Sequence, residues 1–175
     1  MTTFLSMLNH FAQSIFNHFA PIIYVQLSPD RLMVRNPKSG VTVSERPEIA
    51  ISRMPKPKMV AVGAAARTLQ ASPGVEVVNP FAHPRSLVSD FVLGEQTLKA
   101  FLARMNSGRF FAPAPKIVMH LMGDPAGGFT QIEVRAFREM ALGSGASQVS
   151  VWQGRPLTDH ELLSGRFPDS GQVLC

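Results

Sequence analysis

The second half of the chain alternates between helix and strand patterns, and this alternation restricts the fold more than any other feature. Residues 90–108 and 129–145 repeat apolar side chains at helical spacing, whereas 114–123 and 146–154 are apolar runs typical of buried strands. Strands separated by helices of this length pair in parallel, and the helices cover the faces of their sheet. We therefore predict βαβ units here, followed by a short helix over 157–165.

Two sequence signatures indicate where helices begin. Thr130 is followed three residues later by Glu133, and Thr158 is followed in the same way by Glu161. In such a capping box, each side chain bonds a backbone amide that the first helical turn leaves free. Gly145 follows the first of these helices, as expected for a helix end.

The first half reads as a series of short strands separated by turn-forming Pro, Gly, Asp and Ser residues. An alanine-rich stretch over 64–71 predicts a short helix, and residues 166–175 are expected to form a flexible tail. The whole chain therefore predicts an α/β fold, with a mixed sheet flanked by helices. The strands are predicted at residues 22–27, 32–36, 41–45, 48–52, 59–63 and 75–80.

Residues 4–19 predict an amphipathic helix, which Pro21 ends. Residues 6–20 contain no Lys, Arg, Asp or Glu. The segment is too short and too polar to span a bilayer, and it lacks the positive region of a secretory signal. Two interpretations remain: the helix packs on its own domain, or it lies on a membrane surface or a protein partner. The residues expected to make that contact are Phe4, Leu8, Phe11, Ile15, Phe16 and Phe19.

Charge and cysteine content narrow the function classes. The chain has 17 basic and 12 acidic residues, a formal net charge of +5. Apart from a small cluster of Arg53, Lys56 and Lys58, the basic residues are scattered, and none alternate with aromatic residues as in a single-strand-binding surface. We therefore expect no nucleic-acid partner. The single cysteine, Cys175, cannot form an internal disulfide, which favours a reducing, cytoplasmic compartment.

Two long stretches of the sequence, residues 60–102 and 115–149, resemble the bacterial actin-like rod-shape proteins of the MreB family. The resemblance extends over about 20–165. It implies the first, ribonuclease-H-like lobe of an actin-like fold at residues 21–165, with a small inserted subdomain around 36–78. Many family members begin with an amphipathic membrane-binding helix, which residues 1–20 match in type. The residues that carry the resemblance are Val62-Gly63, Pro80, Asp90-Phe91, Glu133, Arg135-Ala136 and Gly145-Ala146.

The same resemblance implies that the phosphate site is damaged. The family's first phosphate hairpin reads Asp-Leu-Gly-Thr, whereas the aligned residues here are Gln26, Leu27, Ser28 and Pro29. An amide replaces the acid, a side chain replaces the glycine, and Pro29 has no N–H to offer a phosphate. The second lobe, with its own phosphate hairpin, is also expected to be missing. We therefore expect no ATP binding and no cofactor.

Other candidate chemistry is sparse. Glu133 aligns with the family's water-polarising glutamate, but we expect it to serve only the capping box. The glycine-rich stretch 123–128 lacks a Walker motif and predicts a turn. Trp152 is expected in the core rather than in a binding platform. The histidines show no metal-ligand spacing, so we expect no metal site. These histidines are His83, His120 and His160.

These observations predict a non-enzymatic, membrane-associated scaffold or regulator at the inner face of the cell membrane. Its expected partner is a full-length MreB filament or the cell-shape machinery, and a homo-oligomer is a further expectation. Two alternatives stay open: a cytoplasmic actin-like adaptor of a secretion or pilus assembly, and half of a two-chain ATPase.

Overall fold

The computed structural model describes residues 20–83, 87–105, 113–123 and 128–175. The predicted helix over 4–19, with its six proposed contact residues, lies outside these ranges, as do positions 124–127 of the predicted glycine turn. Among the described residues, no helix is long and apolar enough to cross a membrane.

The order of elements follows the sequence prediction closely. The helices are α1 (Ala64–Thr68), α2 (Phe91–Met105), α3 (Gln131–Gly143) and α4 (Asp159–Ser164). The strands are β1 (Ile22–Ser28), β2 (Arg31–Arg35), β3 (Thr42–Glu45), β4 (Ile49–Ser52), β5 (Lys58–Val62), β6 (Val75–Val78), β7 (Lys116–Leu121), β8 (Gln148–Gln153) and β9 (Gln172–Val173).

The central sheet has six strands in the order β3-β2-β1-β7-β8-β9. Strand β1 pairs in parallel with β7, and β7 pairs in parallel with β8, as βαβ units require. Strands β2 and β3 extend the sheet as antiparallel hairpins. The mixed α/β prediction is therefore confirmed, and β1 lies in the middle of the sheet with almost every residue buried.

Side chains alternate between the two faces of this sheet. The first face, which carries Val25, Leu32 and Met119, packs against the apolar sides of α2 and α3. The second face, which carries Tyr24, Val118 and Trp152, packs against α4 and the preceding Leu157. Both helices of the first face contribute fully buried phenylalanines, Phe101 from α2 and Phe137 from α3.

A second, three-stranded antiparallel sheet has the order β5-β4-β6 and carries α1. It overlaps residues 36–78, for which the sequence predicted an inserted subdomain, but the two ranges do not begin at the same residue. Residues 42–45 belong to the central sheet because Val43 pairs with Val34 and contacts the first-face core. The second sheet therefore begins at Ile49 rather than near residue 36.

One carboxylate joins the two sheets. Glu45, at the end of β3, accepts hydrogen bonds from the Ala64 amide at 2.7 Å and from Arg104 of α2 at 2.5 and 3.1 Å. The pKa of Glu45 is lowered, mainly by the hydrogen bonds from Arg104. Gly63 has φ +65°, and a Cβ there would collide with the Glu45 carboxylate. This glycine lets the second sheet approach the first closely.

The prediction of a flexible tail at 166–175 is wrong. Phe167 stacks on Trp152 with ring centroids 5.5 Å apart, and β9 then pairs with β8. A Cβ on Gly171 would lie 2.5 Å from the Gln153 carbonyl oxygen, so only glycine fits this return path. The two-residue strand was missed because its apolar run is too short to show a period.

Candidate functional site

The turn that aligns with the family's phosphate hairpin is closed on itself. Ser28 Oγ accepts a hydrogen bond from the Arg31 amide at 3.0 Å, and Ser28 also pairs with Arg31 in the β1–β2 ladder. The Pro29 carbonyl accepts from Asn79 Nδ2 at 2.7 Å, and Asp30 pairs with Arg46 at 2.6 Å. Since Pro29 has no N–H and the Arg31 N–H is already bonded, the turn has few donors left for an anion.

Beside this turn, three polar side chains of the second face form a buried cluster. Gln26 of β1 and His120 of β7 are register partners at the carboxyl ends of parallel strands, where α/β sheets usually bind ligands. Gln26 is 5% exposed and His120 is 1% exposed. Tyr24 completes the cluster, with its hydroxyl oxygen 2.5 Å from His120 Nδ1 and 3.2 Å from Gln26 Nε2.

The partners of the cluster fix its protons. His120 Nε2 lies 2.9 Å from the Gly154 carbonyl oxygen, which can only accept, so Nε2 carries the proton. The His120 Nδ1 atom then accepts a hydrogen bond from the Tyr24 hydroxyl. That hydroxyl oxygen in turn accepts from the Leu157 amide at 3.1 Å and from Gln26 Nε2. Each of these buried polar groups therefore has a hydrogen-bond partner, and all three side chains are neutral.

Burial keeps the cluster neutral. It lowers the pKa of His120 below its usual 6.5, and it raises the pKa of Tyr24 above its usual 10.0. The Gln26 Oε1 atom faces the Arg31 guanidinium at 3.4 Å. A neutral amide beside a cation is a poor environment for Mg²⁺, which prefers carboxylate and phosphate oxygens. The residues at this position therefore do not fit a magnesium–nucleotide group.

Glu133 lies apart from this cluster. It lies in the first turn of α3, on the first face of the sheet, and its Oε2 accepts from the Thr130 amide at 2.9 Å. The Glu133 amide donates to Thr130 Oγ1 at 3.2 Å, which completes the predicted capping box. The second predicted box, between Thr158 and Glu161, is also present.

The remaining candidate residues lie at the surface or pack inside the protein. His83 and His160 are exposed, whereas His120 is buried in the cluster. Within the described ranges, no group of three or more His, Cys, Asp or Glu side chains could hold a metal ion. Trp152 is fully buried and donates from Nε1 to the Arg155 carbonyl at 2.9 Å, so its prediction as a core residue is confirmed. Cys175 is exposed.

Sequence reasoning identified Gln26 but missed the network around it. Tyr24 precedes Gln26 by two residues, so the strand period alone places both on one face. His120 is isolated in the sequence and carries no such signal, because it meets Gln26 only through the parallel pairing of β1 and β7.

The class of protein follows from the fold. MreB5 of Spiroplasma citri bound to ADP aligns with a TM-score of 0.59 at 19% identity, over 75% of this chain and 37% of that one. The MamK double helical filament aligns with a TM-score of 0.56 at 12% identity, over 74% of this chain and 40% of that one. The fold is therefore actin-like, as the sequence predicted.

The sequence places the chain more narrowly. Residues 23–156 match the family described as MreB/Mbl protein, and the chain belongs to that family. The cell shape-determining protein MreB of Escherichia coli K12 is 34% identical over 115 residues, which is 63% of this chain and 31% of that protein. MreB of Haemophilus influenzae is 30% identical over 64% of this chain and 32% of that protein. The chain thus spans about a third of the length of these relatives.

Proposed function

We propose that this chain is a non-enzymatic member of its family, which works by binding other macromolecules rather than by hydrolysing ATP. The observation that carries the proposal is the neutral network of Tyr24, Gln26 and His120 beside the closed turn at Ser28–Arg31. A phosphate cradle depends on free backbone amides and on an acid that organises the metal's water shell. Here the turn has few free amides, and Gln26 takes the position of the acid.

The proposed partner is a protein with the same fold, such as a filament of full-length MreB. The chain matches about a third of such a protein, so it shares part of the family's surface. The MamK relative was solved as a double helical filament, which supports assembly between copies of this fold. In this proposal the chain decorates or caps a filament, or pairs with itself, as part of the cell-shape machinery.

Membrane association is the second half of the proposal. The sequence of residues 4–19 supports an apolar anchor at the inner face of the cell membrane, because six large apolar residues share one side of a predicted helix. Since 6–20 lacks charged residues, this anchor should bind vesicles with little dependence on salt. The variant Phe11→Asp, near the centre of that side, should reduce liposome flotation at both low and high salt.

The nucleotide test is calorimetric titration of the chain with Mg-ATP. We expect no micromolar binding, while MreB5 of Spiroplasma citri, which was solved bound to ADP and to AMPPNP, serves as the positive control. Micromolar binding by the chain alone would contradict the proposal. Binding that appears only after a second chain is added would instead favour a two-chain ATPase.

The partner test is co-sedimentation with filaments of full-length MreB. We expect the chain to pellet with filaments and to remain in the supernatant without them. A pull-down from the native membrane fraction should recover MreB or cell-shape proteins. Recovery of secretion or pilus proteins in their place would identify the chain as an adaptor of that assembly.

A further inference from the structure

The turn between β4 and β5 combines cations and exposed apolar groups. Residues 53–60, which we name the basic tip, are eight consecutive exposed residues. Met54 is 79% exposed, and Val60, at the irregular step where β5 pairs with β4, is 47% exposed. An apolar side chain as large as methionine gains free energy by leaving water, so this degree of exposure indicates a surface that something covers.

The sequence of the tip and of the residues that flank it carries charge of one sign. Residues 49–75 contain four basic residues and no Asp or Glu. Arg53 pairs with Glu76 of β6, but among ion pairs between described residues none involves Lys56 or Lys58. The tip therefore presents two lysines whose charges are available to an anionic partner.

The backbone of the tip distinguishes between kinds of partner. Pro55 and Pro57 have no N–H, the Arg53 amide donates to the Gly74 carbonyl at 3.0 Å, and the Met54 carbonyl accepts from Ser52 Oγ at 3.2 Å. A partner strand that extends the sheet needs free backbone donors, and few remain at residues 53–57. A lipid interface favours the opposite situation, in which backbone groups are absent or already bonded.

The apolar part of this surface continues onto α2. Met59 of β5 and Val92 of α2 line the same groove of about 320 Å³, together with Arg53 and Lys58. Val92 is 61% exposed. The single acidic residue in the groove, Asp90, is engaged as a helix cap, since its Oδ1 accepts from the Leu93 amide at 2.9 Å. Lysines beside exposed apolar side chains match the two layers of an anionic bilayer surface, headgroups outside and acyl chains within.

We propose that the basic tip is a second membrane contact, in which Lys56 and Lys58 bind anionic lipid headgroups and Met54 enters the interface. The proposal deepens the membrane association proposed above, but it concerns a different part of the chain with a different physical signature. Binding through the tip depends on lipid charge and weakens with salt, whereas binding through residues 4–19 should not.

The test compares binding of the full chain to neutral phosphatidylcholine vesicles and to vesicles that also contain phosphatidylglycerol. The readout is the excess affinity for the anionic vesicles. The variant Lys56→Gln/Lys58→Gln should lower this excess by roughly 25-fold, about fivefold for each lysine. The matched control, Lys38→Gln/Lys99→Gln, removes the same charge from exposed positions elsewhere and should lower it about twofold or less. Thermal melts of each variant verify folding.

Met54→Gln supplies the apolar arm of the test, because it removes the apolar group without adding charge. It should weaken binding to anionic vesicles relative to wild type, and Met54→Asp, which also adds a negative charge, should weaken it further. Equal losses in the Lys56/Lys58 variant and in its control would overturn the proposal. Binding to soluble poly-glutamate without any excess for anionic vesicles would also overturn it and indicate an acidic protein partner. Unchanged vesicle binding in Phe11→Asp, together with a charge-dependent excess that is lost in the Lys56/Lys58 variant, would contradict the helix anchor and leave the tip intact.

Discussion

The two faces of the central sheet use the same strands but different chemistry. The first face is covered by two long helices, and its buried side chains are mainly hydrophobic. The buried Thr97 of α2 donates a hydrogen bond from its hydroxyl to the Leu93 carbonyl of its own helix. The second face is covered by the six-residue helix α4 and by Phe167, and it holds the polar cluster of Tyr24, Gln26 and His120. The two faces therefore have different roles. The first face contributes most of the buried apolar residues, and the second holds the cluster that lies beside the family's phosphate-hairpin position.

The largest expected effect is on the first face. Phe137 of α3 is fully buried, so Phe137→Ala should cost about 3–5 kcal/mol in the free energy of unfolding through lost burial and a new cavity. The matched control is Ile132→Ala on the same helix, because Ile132 is 82% exposed and should change stability by about 0.5 kcal/mol or less. Urea denaturation measures both. Similar losses at the two positions would mean that α3 does not pack on this face as described.

The second expected effect tests the polar cluster. Tyr24→Phe removes one oxygen, which leaves the Leu157 amide without its partner and His120 Nδ1 with only the long 3.5 Å contact to Gln26 Nε2, at a cost of about 1–3 kcal/mol. A double-mutant cycle with His120→Leu sharpens the test. We expect the double variant to lose less stability than the two single variants together, because one of the orphaned groups is then gone. Strict additivity in urea melts would show that Tyr24 and His120 are not coupled.

The third prediction uses pH to separate the faces, since His120 belongs to the second face alone. Burial lowers the pKa of His120, so at mildly acidic pH the folded state binds fewer protons than the unfolded chain. This contribution to stability is complete above the unfolded pKa of 6.5. It declines as the pH falls toward the lower folded pKa, by up to about 1.4 kcal/mol per pH unit.

Measuring urea midpoints between pH 7.5 and pH 5 checks this prediction. The window lies above the range in which Glu45 and Glu161 titrate, because the pKa of each is lowered from 4.5. The control variant His120→Leu should show a flatter dependence than wild type, while the other four histidines stay in place. Parallel curves for the two proteins would contradict the assignment.

The same comparison explains what sequence reasoning could predict. The helices that cover the first face can be predicted from local sequence patterns. The apolar spacing in 90–108 and 129–145 predicts both helices, and Thr130 with Glu133 predicts where α3 begins. The second face depends on contacts between distant residues. His120 reaches Gln26 only across paired strands, and β9 returns to β8 because glycine at 171 fits beside Trp152. Neither contact has a local pattern, so the network and the ordered C-terminal segment were not predicted.

The smallest expected effect compares the two capping boxes. Thr130→Ala and Thr158→Ala each remove a hydroxyl that accepts a backbone N–H, a change that typically costs about 1 kcal/mol. Their consequences should differ in extent. Helix α3 keeps four buried residues against the first-face core, whereas α4 buries only Leu162. Loss of the cap should therefore fray α4 locally but lower the stability of α3 only together with the whole domain.

Amide hydrogen exchange distinguishes these outcomes. We expect Thr158→Ala to accelerate exchange mainly in 159–164, and Thr158→Ser, which keeps the hydroxyl, to restore protection. The wild-type cap should also persist in acid. Hydrogen bonds from Arg155 above all, and then from Thr158, lower the pKa of Glu161 to about 2. Its stabilising contribution is complete above the unfolded pKa of about 4.5 and is lost as the pH falls toward 2. If Thr158→Ala instead accelerates exchange equally across α3 and α4, the two faces unfold as one unit and the second face has no independent stability.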